Sequence, residues 1–218
     1  MNNYPIYDDN FGLDFTSKEN PLNIIKSANK RVKPHQRKQQ ILRSLIDLLT
    51  EPNVDKISIA VVAKKINISE AIVYRHFSNK TALFLSLIEI IEDHIFTNIN
   101  RIETDYDDGL ELVNQTIIML LQFSQNNPGL TRILTNEALF CEEKNLLVRM
   151  QQLVDRIEAS LRQAYRIAGA QEVITKGREA ARANFVLCYV MGCWQRFARS
   201  GFQKLPLDMW ENQKDLLV

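Results

Sequence analysis

From Pro34 to the end of this 218-residue chain, apolar side chains recur at intervals of three and four with few interruptions. That spacing lines one face of a helix with 3.6 residues per turn, whereas a half-buried strand alternates every second residue. Seven Gly and six Pro are too few for turn-rich β architecture at this length. The predicted fold class is all-α.

Ile41, Leu42, Leu45, Ile46 and Leu49 mark a first helix from about His35 to Leu49, ended by Pro52-Asn53. Ser58 stands as an N-cap before Ile59 to Ala63, and Ser69 before Glu70 to Arg75. Ser78 is the expected cap of a longer helix whose stripe is Leu83, Phe84, Leu87, Ile88, Ile91, Ile95, Ile99 and Ile102. After the break at Asp105 to Gly109, Leu110, Val113, Ile117, Leu120 and Leu121 mark the next helix, and Pro128-Gly129 interrupts before a shorter one from Leu130 to Phe140. A long stripe from Leu146 to Tyr165 stops near Gly169. The last large helix, about Lys176 to Ser200, contains FVLCYVMGCW, apolar on nearly all sides. Such a helix needs a second surface to cover it, which predicts a homodimer built as a four-helix bundle. Leu153, Ile157 and Leu161 of the preceding helix, with Phe185, Tyr189 and Trp194, are the expected interface residues.

The formal net charge of +1 averages three unlike segments. Residues 1–25 carry net −3, residues 26–80 carry +8 from twelve Lys and Arg against four acids, and residues 81–218 carry −4. Asymmetry of this kind points to a nucleic-acid or membrane-surface contact confined to one module. The organisation reads as a disordered tail at 1–33, a basic helical domain at 34–80 and a helical dimerisation domain at 81–218. No apolar run approaches the roughly 18–20 residues of a membrane span, and the N-terminus lacks a signal-peptide pattern, so a cytoplasmic protein without membrane contact is expected. Cys141, Cys188 and Cys193 fit no disulfide framework or zinc spacing and read as small buried hydrophobes. His35 and His94 give His76 no ligand partner, so no metal is expected. With no Gly-rich phosphate loop, HExxH or nucleophile–base set, neither an enzyme nor a cofactor is expected.

The informative stretch is SIAVVAKKINISEAIVYRHFSNK, residues 58–80. Two short helices separated by a tight turn make a helix-turn-helix, whose second helix is the candidate reader of the major groove. Ile59, Val62, Ala63, Ile66, Ile68, Ile72 and Val73 hold it together, which leaves Glu70, Ala71, Tyr74, Arg75 and His76 facing outward. Ser58 and Ser69 sit at helix N-termini, where hydroxyl and free N–H groups suit a phosphate oxygen. Tyr74 and Lys80 suit phosphate contacts, while Arg75 and His76 can reach either phosphate or a base edge. Phe77 is packing.

These residues resemble the DNA-binding domain of the TetR family, whose recognition helix ends in a Tyr-His-Phe pattern followed by Lys; Tyr74, His76, Phe77 and Lys80 fit it. The resemblance implies a TetR-like fold: an N-terminal three-helix domain and a C-terminal helical dimerisation domain. It gives Ser58 the place of the family's Thr near DNA, and Ser69, Ala71, Tyr74, His76 and Lys80 recognition or backbone contacts. Asn67 replaces the usual turn Gly, a change Asn tolerates through its access to left-handed backbone. NPGLTRILTNEALF, LIEIIEDHI and QQLVDRIEASLRQAYR extend the resemblance to the family's nucleoid occlusion subgroup, over about residues 37–202. That subgroup implies palindromic double-stranded DNA sites, association with the nucleoid, and DNA-dependent antagonism of the division protein FtsZ. The FtsZ surface it implies is a groove including Ile90, Asn98, Met119, Gln122, Asn126 and Asn127. Asn98 and Asn126 stand where a relative in that subgroup has Arg, and Arg101 is a nearby cation. The alternative within the family is a ligand-responsive transcriptional repressor.

Overall fold

The computed structural model describes residues 33–51, 57–139 and 144–217; the expected tail through Val32, the Pro52-Asn53 stop, Phe140 and Cys141 fall outside them. Among the described residues the regular structure is helical, without strands.

Helices α1 (Pro34–Leu49), α2 (Ile59–Lys65) and α3 (Glu70–Tyr74) form the first module. Pro34 at the first turn costs α1 no hydrogen bond, because that N–H has no helical partner. Ile41, Leu45 and Leu49 of α1 pack with Val62, Val73 and Phe77, all buried. Helix α4 (Lys80–Asp105) leaves this module and runs about 39 Å at 1.5 Å per residue. Its cap is Asn79 rather than Ser78: the Asn79 Oδ1 accepts from the Ala82 N–H at 2.8 Å. The stripe from Leu83 to Ile102 is buried throughout.

The second module is α5 (Gly109–Asn126), α6 (Pro128–Leu134), a 3-10 turn (Glu137–Leu139), α7 (Lys144–Ala170), α8 (Glu179–Arg199) and α9 (Trp210–Leu217). Helix α5 is its centre and touches α4, α6, α7 and α8. A Cβ on Gly109 would lie 2.2 Å from the Ala168 backbone nitrogen, so the start of α5 can approach the end of α7 only as glycine. Gln171 pins the same corner, its Oε1 accepting from the Gly109 N–H and its Nε2 donating to the Asp107 carbonyl, both at 2.8 Å.

Helix α7 ends at Ala170, near Gly169 as expected, but Gly169 is not the residue that stops it. It is buried within the helix, and the left-handed position is Glu172 at φ 63°, with Val173 N–H donating to the Ala168 carbonyl and Glu172 N–H to the Gly169 carbonyl. Helix α9 has no counterpart in the sequence expectation. Trp210 anchors it fully buried, its ring 5.9 Å from Tyr189, whose hydroxyl donates to Gln213 Oε1 at 2.8 Å.

Candidate nucleic-acid interface

The turn between α2 and α3 is built by local backbone chemistry. Ser58 caps α2, its Oγ accepting from the Val61 N–H at 3.3 Å. At the other end Ile68 N–H donates to the Ala63 carbonyl and Asn67 N–H to the Lys64 carbonyl, with Asn67 left-handed at φ 54°. This is a Schellman stop with Asn in the place glycine usually takes, so the substitution leaves the turn intact. Ser69 occupies the N-cap position of α3, but its side chain makes no capping bond and its hydroxyl is exposed.

Val73 is the buried residue of α3, and Phe77 just beyond is buried as well. With that side fixed, Ser69, Glu70, Ala71, Tyr74 and Arg75 are exposed, Tyr74 at 51%, and His76 and Lys80 are half-buried. Ser58 is exposed on the preceding cap. The expected contact residues therefore share one module and an outward aspect.

The structure adds Arg37 and Lys38, which the sequence reading did not select. The Lys38 ammonium sits 5.6 Å from the Phe77 ring, and the Lys80 ammonium lies the same distance from Phe84. Burial, then Arg75, Arg37 and Lys38, hold the His76 imidazole below the usual histidine range. The first turns of α1 and the end of α3 thus bring Arg37, Lys38 and Arg75 around His76, and Lys80 opens α4. The sequence signal was the Arg37-Lys38 pair on a helix whose stripe begins only at Ile41. No cluster of three or more His, Cys, Asp or Glu side chains that could hold a metal occurs among the described residues.

The expected dimer residues divide. Leu153, Ile157 and Leu161 are fully buried within the single chain, and Trp194 is 1% exposed with its Nε1 donating to the Leu120 carbonyl at 3.2 Å. These four pack inside the protomer and leave no surface for a partner, which corrects the expectation. Phe185 is 59% exposed and Tyr189 half-buried. Ala181, Phe185, Cys188, Met191 and Gly192 lie on the outer face of α8, and all are exposed. The run FVLCYVMGCW is thus two apolar faces, one inward and one outward. Cys188 is exposed and Cys193 half-buried, so the reading of the cysteines as buried fails for Cys188.

The expected partner groove is likewise narrower. Met119 is in the core, and Asn98 is buried with its Nδ2 donating to the His94 carbonyl at 3.0 Å. The His94 and Phe123 rings, 4.9 Å apart, close α4 onto α5 at that level. Asn98 and Met119 are packing residues. Ile90, Gln122 and Asn127 are half-buried and Asn126 exposed, with Asn127 Nδ2 donating to the Phe123 carbonyl at 2.8 Å.

Residues 41–87 match the family of bacterial regulatory proteins of the tetR type, and residues 107–218 match the SlmA-like tetracyclin repressor-like C-terminal domain. The nucleoid occlusion factor SlmA of Marinomonas sp. is 36% identical over 187 residues, 85% of this chain and 95% of that protein. SlmA of Alteromonas mediterranea is 38% identical over 183 residues, 84% of this chain and 94% of its own. Among solved structures, the fatty acid degradation regulator FadR from Bacillus halodurans superposes with a TM-score of 0.74 at 12% identity, over 83% of this chain and 94% of that one.

Proposed function

The chain belongs to the SlmA family of nucleoid occlusion factors, a branch of the TetR family, and from that premise we propose that it binds palindromic double-stranded DNA as a homodimer and, while DNA-bound, engages FtsZ to antagonise ring assembly over the nucleoid. The observation that carries the DNA half is the gathering of Arg37, Lys38 and Arg75 around His76, with Lys80 at the start of α4, beside an exposed α3. Phosphate attraction there orients the module, Tyr74 and Lys80 meet the backbone, and Glu70 and Ala71 face the groove beside Arg75 and His76. Ser58 and Ser69 add hydroxyl and N–H donors at the flanks.

The dimer uses the outer face of α8. Phe185, Cys188, Met191 and Gly192 form an exposed apolar strip, and Gly192 has nothing within 4 Å of where a Cβ would stand, so a second helix can approach closely. The FtsZ surface comprises the accessible remainder of the α4–α5 groove, Ile90, Gln122, Asn126 and Asn127. Arg101 at the α4 side is exposed, its guanidinium 3.6 Å from Asp105. It offers a cation where Asn98 and Asn126 bring none. No helix among the described residues is long and apolar enough to cross a membrane.

Sedimentation of polymerised FtsZ tests the reading, with the protein added alone and with its selected DNA site. Loss of polymer only when cognate DNA is present is the expected result. Polymer unaffected in both arms would assign the protein to conventional repression instead.

A further inference from the structure

Arg132, within the TRIL end of α6, is the one charged side chain of that short helix, and it is 7% exposed. A guanidinium at that depth needs partners for its donors. Its Nη1 donates to the Glu51 carbonyl, just past the end of α1. Its Nε lies 3.9 Å from Glu137 Oε2 on the 3-10 turn, and its guanidinium carbon 4.9 Å from the centre of the Phe202 ring. Phe202 follows closely on α8 and is itself held: its N–H donates to the Phe197 carbonyl at 2.9 Å, its φ is 65°, and its ring sits edge-on to Phe197 at 5.2 Å. On the other side the Glu51 carboxylate accepts from Lys65 of α2 at 2.8 Å. One cation thus joins the helix-turn-helix module to the end of the helix whose outer face is free for a second copy.

We propose that Arg132 is a positioning residue for DNA recognition, one that fixes the reading module against α8 and thereby sets the half-site spacing a dimer accepts. The proposal rests on the dimeric, palindromic reading above. A change of one base pair between half-sites alters their separation by about 3.4 Å and their relative rotation by about 35°. A dimer can refuse that change only if each reading module is held rigidly to the dimer helices. Arg132 touches both sides of that joint: its Nη1 donates to the Glu51 carbonyl, its Nε faces the Glu137 carboxylate at 3.9 Å, and its planar face lies on Phe202. Lysine, a point charge on a flexible stem, cannot do all three.

The test measures binding of full-length Arg132→Lys, Arg132→Gln and Phe202→Leu proteins to palindromes whose spacer is changed by one and two base pairs, and to a duplex with a single half-site. Sedimentation velocity and far-ultraviolet circular dichroism establish that each variant is a folded dimer. Expected is a sharp optimum for the unmodified protein. The variants should bind the optimal spacing several-fold more weakly, lose much less than the unmodified protein on a one-base-pair change, and bind the single half-site unchanged. A folded dimeric variant with the original spacing profile overturns the proposal, as does one whose half-site affinity falls in step with its full-site affinity. If Arg132→Gln does not fold, Phe202→Leu carries the comparison, since Phe202 is partly exposed. No optimum in the unmodified protein would overturn the palindromic reading itself, an outcome distinct from a shared optimum.

Discussion

At the residue scale, the surrounding cations make His76 the group most sensitive to what binds it. In the free protein burial, then Arg75, Arg37 and Lys38, favour the neutral imidazole. A DNA phosphate brought into the same cluster offsets those cations and favours the imidazolium, so binding takes up a proton. Affinity for a specific duplex should therefore rise as pH falls from about 8 to about 6, and His76→Gln should flatten that rise. Fluorescence anisotropy at constant ionic strength reads it; equal pH slopes for the two proteins would remove His76 from the interface. Stability has the opposite sign. With the folded value lowered from 6.5, the unfolded chain takes the proton first, so stability is lost as pH drops below that value. Lys80 and Tyr74 act differently, through phosphate alone. Lys80→Ala should weaken binding to all sequences and lower the salt slope of a dimer by about 2, one per protomer. An unchanged slope would mean that Lys80 meets no phosphate.

At the element scale, α1, α4, α5, α7 and α8 were legible because each carries a long apolar stripe, and the turn around Asn67 because Asn is one of the few residues at ease left-handed. Boundaries were less legible where two candidates competed. Ser78 and Asn79 are both capping residue types, and only the backbone decides that Asn79 reaches the Ala82 N–H. Gly169 resembles a stop in sequence, yet its missing side chain sits at the α7–α8 junction, with Glu179 Oε1 3.3 Å from where a Cβ would be. Helix α9 is short and has one large anchor, Trp210, so its stripe was too weak to stand out. Leu153, Ile157, Leu161 and Trp194 read as dimer residues in the sequence for a periodic reason: a long apolar helix can carry two apolar faces, and sequence does not say which one the protomer consumes. Two substitutions separate the faces. Ile157→Ala, in the intramolecular core, should cost about 2–5 kcal/mol of folding stability in chemical denaturation. Phe185→Glu should leave helicity intact and shift sedimentation from dimer to monomer. A fully dimeric Phe185→Glu protein would place the interface elsewhere. Between α1 and α6 the contact is tighter still. A Cβ on Gly129 would stand 2.4 Å from the Ile46 carbonyl oxygen, so Gly129→Ala should separate the two helices and lower stability by about 1–3 kcal/mol.

At the scale of the whole molecule, the charge division runs along the boundary between the two modules. The segment of net +8 contains α1 to α3 and the first residue of α4, whereas the segment of net −4 contains the remainder. On the proposed reading the phosphates meet the segment of net +8, and charges of the second module more than about 10 Å from them are screened at 0.1 M salt. Candidate phosphate cations are Arg37, Lys38, Arg75 and Lys80. Lys65 is paired with Glu51, so its charge is committed inside the module. Four such contacts in each of two protomers predict a slope of log affinity on log salt near −7 for a specific palindrome. A protein held monomeric by Phe185→Glu should show about half that slope, with affinity near that for a single half-site. The two measurements constrain each other. A slope near −7 that survives the loss of the dimer would show that one protomer carries all the phosphate contacts, and the two-headed reading would fall even if the fold and every named side chain were in place.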